Sequence, residues 1–264
     1  QKPTLLQVIG DVFQQVARMH RKFWKDASIL SYSWLRSYDW IHGEGKDSWQ
    51  EAQKRATDSW VSVKAKIEAK TTAFQWDEEI VAVVDASLSK IDWEKYQHII
   101  HHQRSWTFVH GDFHPGNIFW IAADAPHTNQ LDNSEKVKSG KSVLLDWEMV
   151  GLGNGPQELS QYMISHVTPD VRREIEDEVI GLYYRTLTSN EDVGGVGKYV
   201  SAEEYSFEQC KEEYIYGGFE RWVWFLAALP AFCPEPMIEY WHNQMVAFMR
   251  DHHITAQTVG MPRV

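Results

Sequence analysis

Asp112, Asn117 and Asp146 are three oxygen-bearing side chains placed where short apolar runs end. The first two lie in His110-Gly111-Asp112-Phe113-His114-Pro115-Gly116-Asn117, entered through Phe108-Val109 and left through Ile118. The third follows Val143-Leu144-Leu145 and opens Asp146-Trp147-Glu148. A carboxylate in such a set can orient an attacking hydroxyl and accept its proton. The remaining oxygens suit Mg²⁺, which prefers carboxylate and amide oxygens to nitrogen or sulfur. A metal so held neutralises charge on a transferring phosphoryl group, so the chemistry these side chains suit is phosphoryl transfer from ATP to a hydroxyl. Singly, each is an ordinary turn residue, because Asp, Asn, Gly and Pro serve turns for conformational reasons. Their order, the five-residue step from Asp112 to Asn117 and the strand contexts together favour a shared role.

The elements around them divide the chain into three stretches of one lobe. Residues 1–105 read as helical. Leu5, Val8, Ile9, Val12, Phe13, Val16 and His20 recur at three- and four-residue steps behind a Thr4/Gln7 capping box. Residues 26–47 read as irregular. A second helix is predicted to start at Ser48, with Glu51 completing its cap and Trp49, Ala56, Trp60 and Val63 on one stripe. Shorter helices are expected over 77–88 and 93–101. Residues 106–150 carry β-prone runs at 106–109, 118–121 and 142–145, with a polar exposed loop at 122–141 between the last two. Residues 151–264 return to helix at 156–166, 169–187, 203–229 and 235–252, with a Gly-rich linker at 190–197. The fold class is therefore α+β, mostly helical, with a small central β-hairpin or sheet.

The pattern H-G-D-x-H-P-G-N, then an apolar strand and D-W-E, resembles the aminoglycoside phosphotransferase and choline kinase-like superfamily. Protein kinases keep the same Asp-to-Asn interval in H-R-D-x-x-x-x-N and later use D-F-G. The likeness covers residues 106–163 closely and the flanking helices more loosely. It implies the large, carboxyl-terminal lobe of a protein kinase-like fold. It also implies that Asp112 is the catalytic base, that Asn117 and Asp146 bind Mg²⁺, that His110 supports the loop, and that His114 lies near the phosphates of ATP or shapes the turn. Gly116 is expected to allow a tight backbone path. Where that family usually has a second Asp after D-W-E, this chain has Glu158, for which a structural role near a helix start is expected.

The same resemblance implies a small lobe that covers ATP, with a strand lysine and a helix glutamate. Residue 1 falls close to where the large lobe's first helix should begin, so a lobe of roughly 90 residues is expected to be missing. It would belong to a longer precursor or to a separate chain, and the 264 residues alone would be inactive. A different class of function, a non-catalytic binding or assembly module that keeps the motifs, stays open.

The implied acceptor is a hydroxyl on a small molecule, bound among the carboxyl-terminal helices. Glu220, Trp222, Trp224, Tyr240 and Trp241, with Glu235 and Glu239, could form a cation-binding pocket there. The alternative is an aromatic helix–helix core. A net charge of −11 disfavours nucleic acid as a partner and suits a cationic acceptor. The longest apolar run is about half of the ~20 residues that a membrane span requires, and two distant cysteines, Cys210 and Cys233, fit a reducing, cytoplasmic compartment. His98, His101, His102, His110 and His114 fall within 17 residues. Their spacing, across a helix end, a strand and a turn without a nearby Cys, disfavours zinc. His252 and His253 are expected at the surface.

Overall fold

Thr4 opens the first helix, α1 (Leu5–Lys22), through the anticipated capping box: its hydroxyl accepts from the Gln7 amide, and the Gln7 side chain accepts from the Thr4 amide. The buried face of α1 is Ile9, Val12, Phe13, Val16, Ala17 and His20. That stripe lies along α7 (Pro169–Leu187), whose Val179, Ile180, Tyr183 and Leu187 are buried against it in the main core. The structure, a computed structural model, describes residues 3–102, 105–121, 141–189 and 200–263. The expected loop at 122–141 and linker at 190–197 fall almost wholly outside those residues.

Between α1 and the first strand lie α2 (Tyr38–Ile41), α3 (Lys46–Glu68), α4 (Glu78–Leu88) and α5 (Trp93–His102). The stripe on α3 holds, with Trp49, Ala56, Trp60 and Val63 buried. Its start does not. Gly45 is the N-cap, and the Ser48 hydroxyl, instead of capping, donates to the Gly45 carbonyl at 3.0 Å and accepts from Trp40 Nε1 at 2.9 Å. A hydroxyl that has turned back to the preceding turn cannot also cap the helix. Asp77 caps α4 as a carboxylate should, accepting from the Glu79 and Ile80 amides.

Among the described residues the expected small β structure consists of two antiparallel pairs. β2 (Ile118–Ile121) pairs with β3 (Lys141–Leu144), Ile118 opposite Leu144. β1 (Trp106–Val109) pairs with a strand that the sequence pattern did not predict, β4 (Gly151–Asn154), Val109 opposite Gly151. Two glycines in four residues give β4 no intrinsic strand preference. It is held extended by β1 on one side and, at its start, by Arg36, whose amide donates to Val150 O (3.1 Å) and whose carbonyl accepts from the Leu152 amide (3.3 Å).

After β4 come α6 (Gly155–His166), capped by Asn154, then α7, α8 (Phe207–Glu212), α9 (Gly218–Ala228) and α10 (Glu235–Asp251). The expected single helix over 203–229 is corrected on two counts. It starts at Phe207 behind a Ser206/Gln209 capping box, and a π-helical turn at Glu213–Gly217 separates α8 from α9. That turn brings Tyr214 to Glu176, its hydroxyl donating to Oε1 at 2.6 Å. Arg172, only 2% exposed, donates to both Glu176 oxygens at 3.2 Å and pairs with Asp251. His252, expected at the surface, closes the same cluster on Glu176 at 3.2 Å.

Desolvation alone would raise the Glu176 pKa, but His252, Arg172 and Tyr214 together hold it below the ordinary value of 4.5. A carboxyl with a depressed folded-state pKa stabilises the fold above its unfolded pKa, and that contribution is lost as pH falls through the folded value. Glu176→Gln leaves Arg172 buried beside a neutral group and is expected to lower unfolding free energy by about 2–4 kcal/mol at neutral pH. The stability difference between wild type and variant, followed by urea unfolding, should shrink as pH drops below 4.5. A difference that stays constant with pH would contradict this account.

Candidate active site

β1 hands the chain to a turn whose backbone is held from beneath by one carboxyl group. Glu158 Oε2 accepts from the His110 amide at 3.0 Å, and Oε1 accepts from the Gly111 amide at 2.6 Å. Oε2 also meets His20 Nε2 at 3.1 Å, and His20 Nδ1 meets the Tyr183 hydroxyl at 2.9 Å. A His20 tautomer protonated on Nε2 satisfies both contacts. His20, His110, Glu158 and Tyr183 are buried, and Gly111 is partly so. Gly111 has φ +83°, and a Cβ there would stand 2.0 Å from Met149 O, so the position excludes side chains on two grounds. Phe113, 1% exposed, anchors the next step of the turn among Phe13, Tyr162 and His110.

Asp112 lies between those two anchors and points out of the core, its side chain 40% exposed. His114 Nε2 stands 3.4 Å from Asp112 Oδ2, and Asn117 Nδ2 donates to Asp112 O at 3.0 Å and Oδ2 at 3.2 Å. The hydrogen bond from His114 is the largest reason that the Asp112 carboxyl is held below its usual pKa, against some desolvation. His114 Nδ1 accepts from the Gly116 amide at 3.0 Å, which fixes the proton on Nε2. Its ring stacks on His166, 5.3 Å between centroids. Gly116, expected to allow a tight backbone path, lies close against His114: a Cβ would meet its ring at 2.7 Å.

Asp146 reaches the same end of the lobe through strand register. Beyond the Ile118–Leu144 pair, the Leu145 amide donates to Asn117 O at 2.9 Å, and His110 Nε2 donates to Leu145 O at 2.7 Å. Asp146 is therefore the residue after one tied to both Asn117 and His110. It is exposed, with φ +58° and ψ 66°, a left-handed conformation that costs a non-glycine residue about 1 kcal/mol or more. Trp147 follows, its ring 4.7 Å from His110. Asn117 Oδ1 accepts no hydrogen bond among the described residues, and the Asp146 carboxyl makes none there, so an amide oxygen and a carboxylate remain for a hard cation. Among the described residues no three His, Cys, Asp or Glu side chains group as metal ligands. His110 and His114 spend ring nitrogens on Leu145 and Gly116.

A cavity of about 210 Å³ adjoins the turn at Gly111 and Met149. Its walls come from α2, α5, β1, β4, the start of α6, Arg221 of α9 and the tail after α10. The expected acceptor cluster lies elsewhere: none of Glu220, Trp222, Trp224, Tyr240 and Trp241 lines this cavity. Glu220 is buried and accepts from the Gly260 amide (2.8 Å) and Arg263 Nε (2.7 Å). Trp222 is buried against Phe225 and Trp241, and Trp224 donates to Ala52 O at 3.3 Å. Tyr240 is 39% exposed and accepts from Gln244. Apart from Tyr240, these residues form the helix–helix core that was the alternative. What the sequence pattern missed is Arg36 and Arg221 at the cavity. Arg221 Nη2 donates to Gly111 O at 3.1 Å and Nε to Gln161 Oε1 at 2.9 Å. Burial, and then the neighbouring Arg36, push its pKa down to about 10, while Glu158 and Asp112 act in the opposite sense. An arginine over a hundred residues from the turn gives no local signal.

Glu158→Gln removes one of the two oxygens that the His110 and Gly111 amides share. Unfolding free energy is expected to fall by about 2–4 kcal/mol, and amide exchange at His110 and Gly111 to accelerate at least about tenfold relative to the β2–β3 amides. Unchanged exchange at both amides would show that Glu158 does not hold the turn.

The structure is similar to that of choline kinase from Cryptosporidium parvum Iowa II, with a TM-score of 0.53 at 11% sequence identity. The match covers 94% of this chain and 66% of choline kinase, so the chain spans just under two thirds of that enzyme's length. At this identity the likeness is one of fold: a kinase-like lobe, mostly helical, with small two-stranded sheets. No curated protein sequence matches the chain. No helix among the described residues is long and apolar enough to cross a membrane. Residues 50–244, well over half of the sequence, match the family described as "DUF1679: Uncharacterized oxidoreductase dhs-27", and the chain belongs to that family.

Proposed function

We propose that this lobe carries the catalytic half of an ATP- and Mg²⁺-dependent phosphotransferase that acts on a hydroxyl of a small molecule. The observation that supports it is the placement of Asp112, hydrogen-bonded to Asn117, with Asp146 one residue beyond the Leu145 link to Asn117. In this proposal the acceptor hydroxyl donates to Asp112. Its oxygen forms a bond to the γ-phosphorus while the bridging bond to ADP breaks, and its proton passes to the Asp112 carboxylate. A carboxyl held below the usual pKa is a weak base. It therefore orients the hydroxyl first and takes the proton late, which suits a loose transition state in which the nucleophile gains little bonding before the leaving group departs. Asn117 Oδ1 and the Asp146 carboxylate would hold Mg²⁺, whose charge offsets that of the phosphates. His110 braces the strand end that carries Asp146, and His114 braces Asp112.

The rest of the nucleotide site, including a lysine for the α- and β-phosphates, is in this proposal supplied by a further lobe of the same precursor or by a separate chain. A cytoplasmic setting, where ATP and the free thiols of Cys210 and Cys233 coexist, fits the proposal. The family description contains the word oxidoreductase. Nothing in the geometry favours hydride transfer: the strands among the described residues form antiparallel pairs, whereas a dinucleotide fold needs a parallel sheet.

Transfer of labelled phosphate from ATP to a panel of small hydroxyl compounds, measured on the full native gene product, tests the proposal. Asp112→Asn should lower kcat by about 10²–10⁴-fold with little change in ATP affinity. Asp146→Asn should abolish the Mg²⁺ dependence of ATP binding. Full activity in Asp112→Asn would refute the assignment. ATP binding indifferent to Mg²⁺ in the wild type would favour a non-catalytic binding module.

A further inference from the structure

The cavity beside Gly111 carries charge of the opposite sign to the molecule. The chain's formal net charge is −11, yet Arg36, Arg221 and Arg263 line this cavity with Glu158 as the one carboxyl among them. Glu158 is fully committed, its two oxygens meeting the His110 and Gly111 amides and His20. Arg263 is matched by Glu220 at 2.7 Å. Arg36 and Arg221 have no carboxylate partner among the described residues. Arg221 is half-buried and donates to two neutral oxygens, Gln161 Oε1 and Gly111 O, which leaves at least three of its five N–H groups unspent. Arg36 Nη1 donates to the Met149 sulfur at 3.1 Å, a weak acceptor. Its backbone is pinned to Val150 and Leu152, and its side chain lines the cavity beside Met149. The other walls are mostly apolar, among them Trp40, Ile41, Tyr96, Ile99 and Met261.

Two guanidinium groups without a carboxylate in hydrogen-bond contact, lining one mostly apolar cavity, form a site that suits an oxyanion. We infer that the acceptor carries a carboxylate or phosphate on an apolar body, with Arg36 and Arg221 binding the oxyanion and the hydroxyl directed to Asp112. The inference rests on the phosphotransferase reading for the hydroxyl and on the cavity alone for the charge. It replaces the expectation of a cationic acceptor. An ammonium head would meet two guanidinium groups here, and of the aromatics once expected to receive it Trp222 is buried while Trp224 and Trp241 pack against the core.

Three isosteric probes separate the possibilities: 4-(hydroxymethyl)benzoate, 4-(hydroxymethyl)benzamide and 4-(hydroxymethyl)benzylamine. Their binding to the 264-residue chain is measured by calorimetry, with and without ATP. The benzoate is expected to bind about tenfold or more tightly than the amide, and the amine more weakly than either. Arg36→Gln, at an exposed position that should leave folding intact, is expected to bring benzoate and amide within about threefold, and Arg221→Lys to keep part of the preference. A benzoate no tighter than the amide, or not bound, overturns the inference. ATP that displaces the benzoate also overturns it, because the guanidinium groups would then serve the nucleotide's phosphates. Benzoate preference without phosphate transfer in the full gene product would sink the reaction but leave the charge assignment standing. Transfer to neutral or cationic hydroxyls without acid preference would do the reverse.

Discussion

One buried carboxyl group, that of Glu158, accepts from two successive backbone amides and from a histidine, and the shape of the His110–Asn117 turn depends on it. Two adjacent N–H groups pointing into the core would each cost roughly 1–3 kcal/mol if left unpaired. No strand partner can take both, because β1 ends at Val109. A single carboxyl with two oxygens can. It is carried on α6, whose own position is set by the Asn154 cap at the end of β4. The turn, the strand beneath it and the first helix are thus coupled through one side chain and through His20 and Tyr183 behind it.

With the backbone fixed from below, the outward-facing groups need little further support. Asp112 is poised by His114 and Asn117, both within five residues of it, and Asp146 is delivered by strand register. The left-handed backbone at Asp146 is a local cost carried by tertiary pairing on either side, the Leu145 amide before it and the Trp147 ring after it. This division places strain at the exposed rim, while the Glu158 carboxyl beneath it is fully hydrogen-bonded.

Much of this was legible in the sequence. The helix stripes of α1 and α3 obey the 3.6-residue period because their buried faces are continuous, and the Thr4 and Asp77 caps are local chemistry. The turn from His110 to Asn117 was legible because its residue types and their spacing both point to one use. The rest required partners distant in sequence. β4 is a strand because β1 and Arg36 hold it, not because Gly-Leu-Gly-Asn prefers extension. The π-helical turn follows from how Tyr214 reaches Glu176, and no window of 203–229 shows that. That Gly111 takes a positive φ was not legible, since sequence does not say which glycine of a turn adopts it. The aromatic cluster of α9 and α10 was ambiguous for a similar reason: burial and ligand binding select the same residue types.

The tail beyond α10 folds back across the molecule. Gly260 and Arg263 are clipped to Glu220, Ser87 donates to Gly260 O, Gln53 donates to Pro262 O, and Met261 faces the cavity. The tail, α2 and α5 thus add walls to a cavity whose floor includes Gly111 of the turn and Glu158 beneath it. Tail, α2 and α5 can accumulate substitutions that reshape the chamber while the Glu158 brace stays untouched. The shape of the chamber can therefore change while the contacts that hold the turn persist.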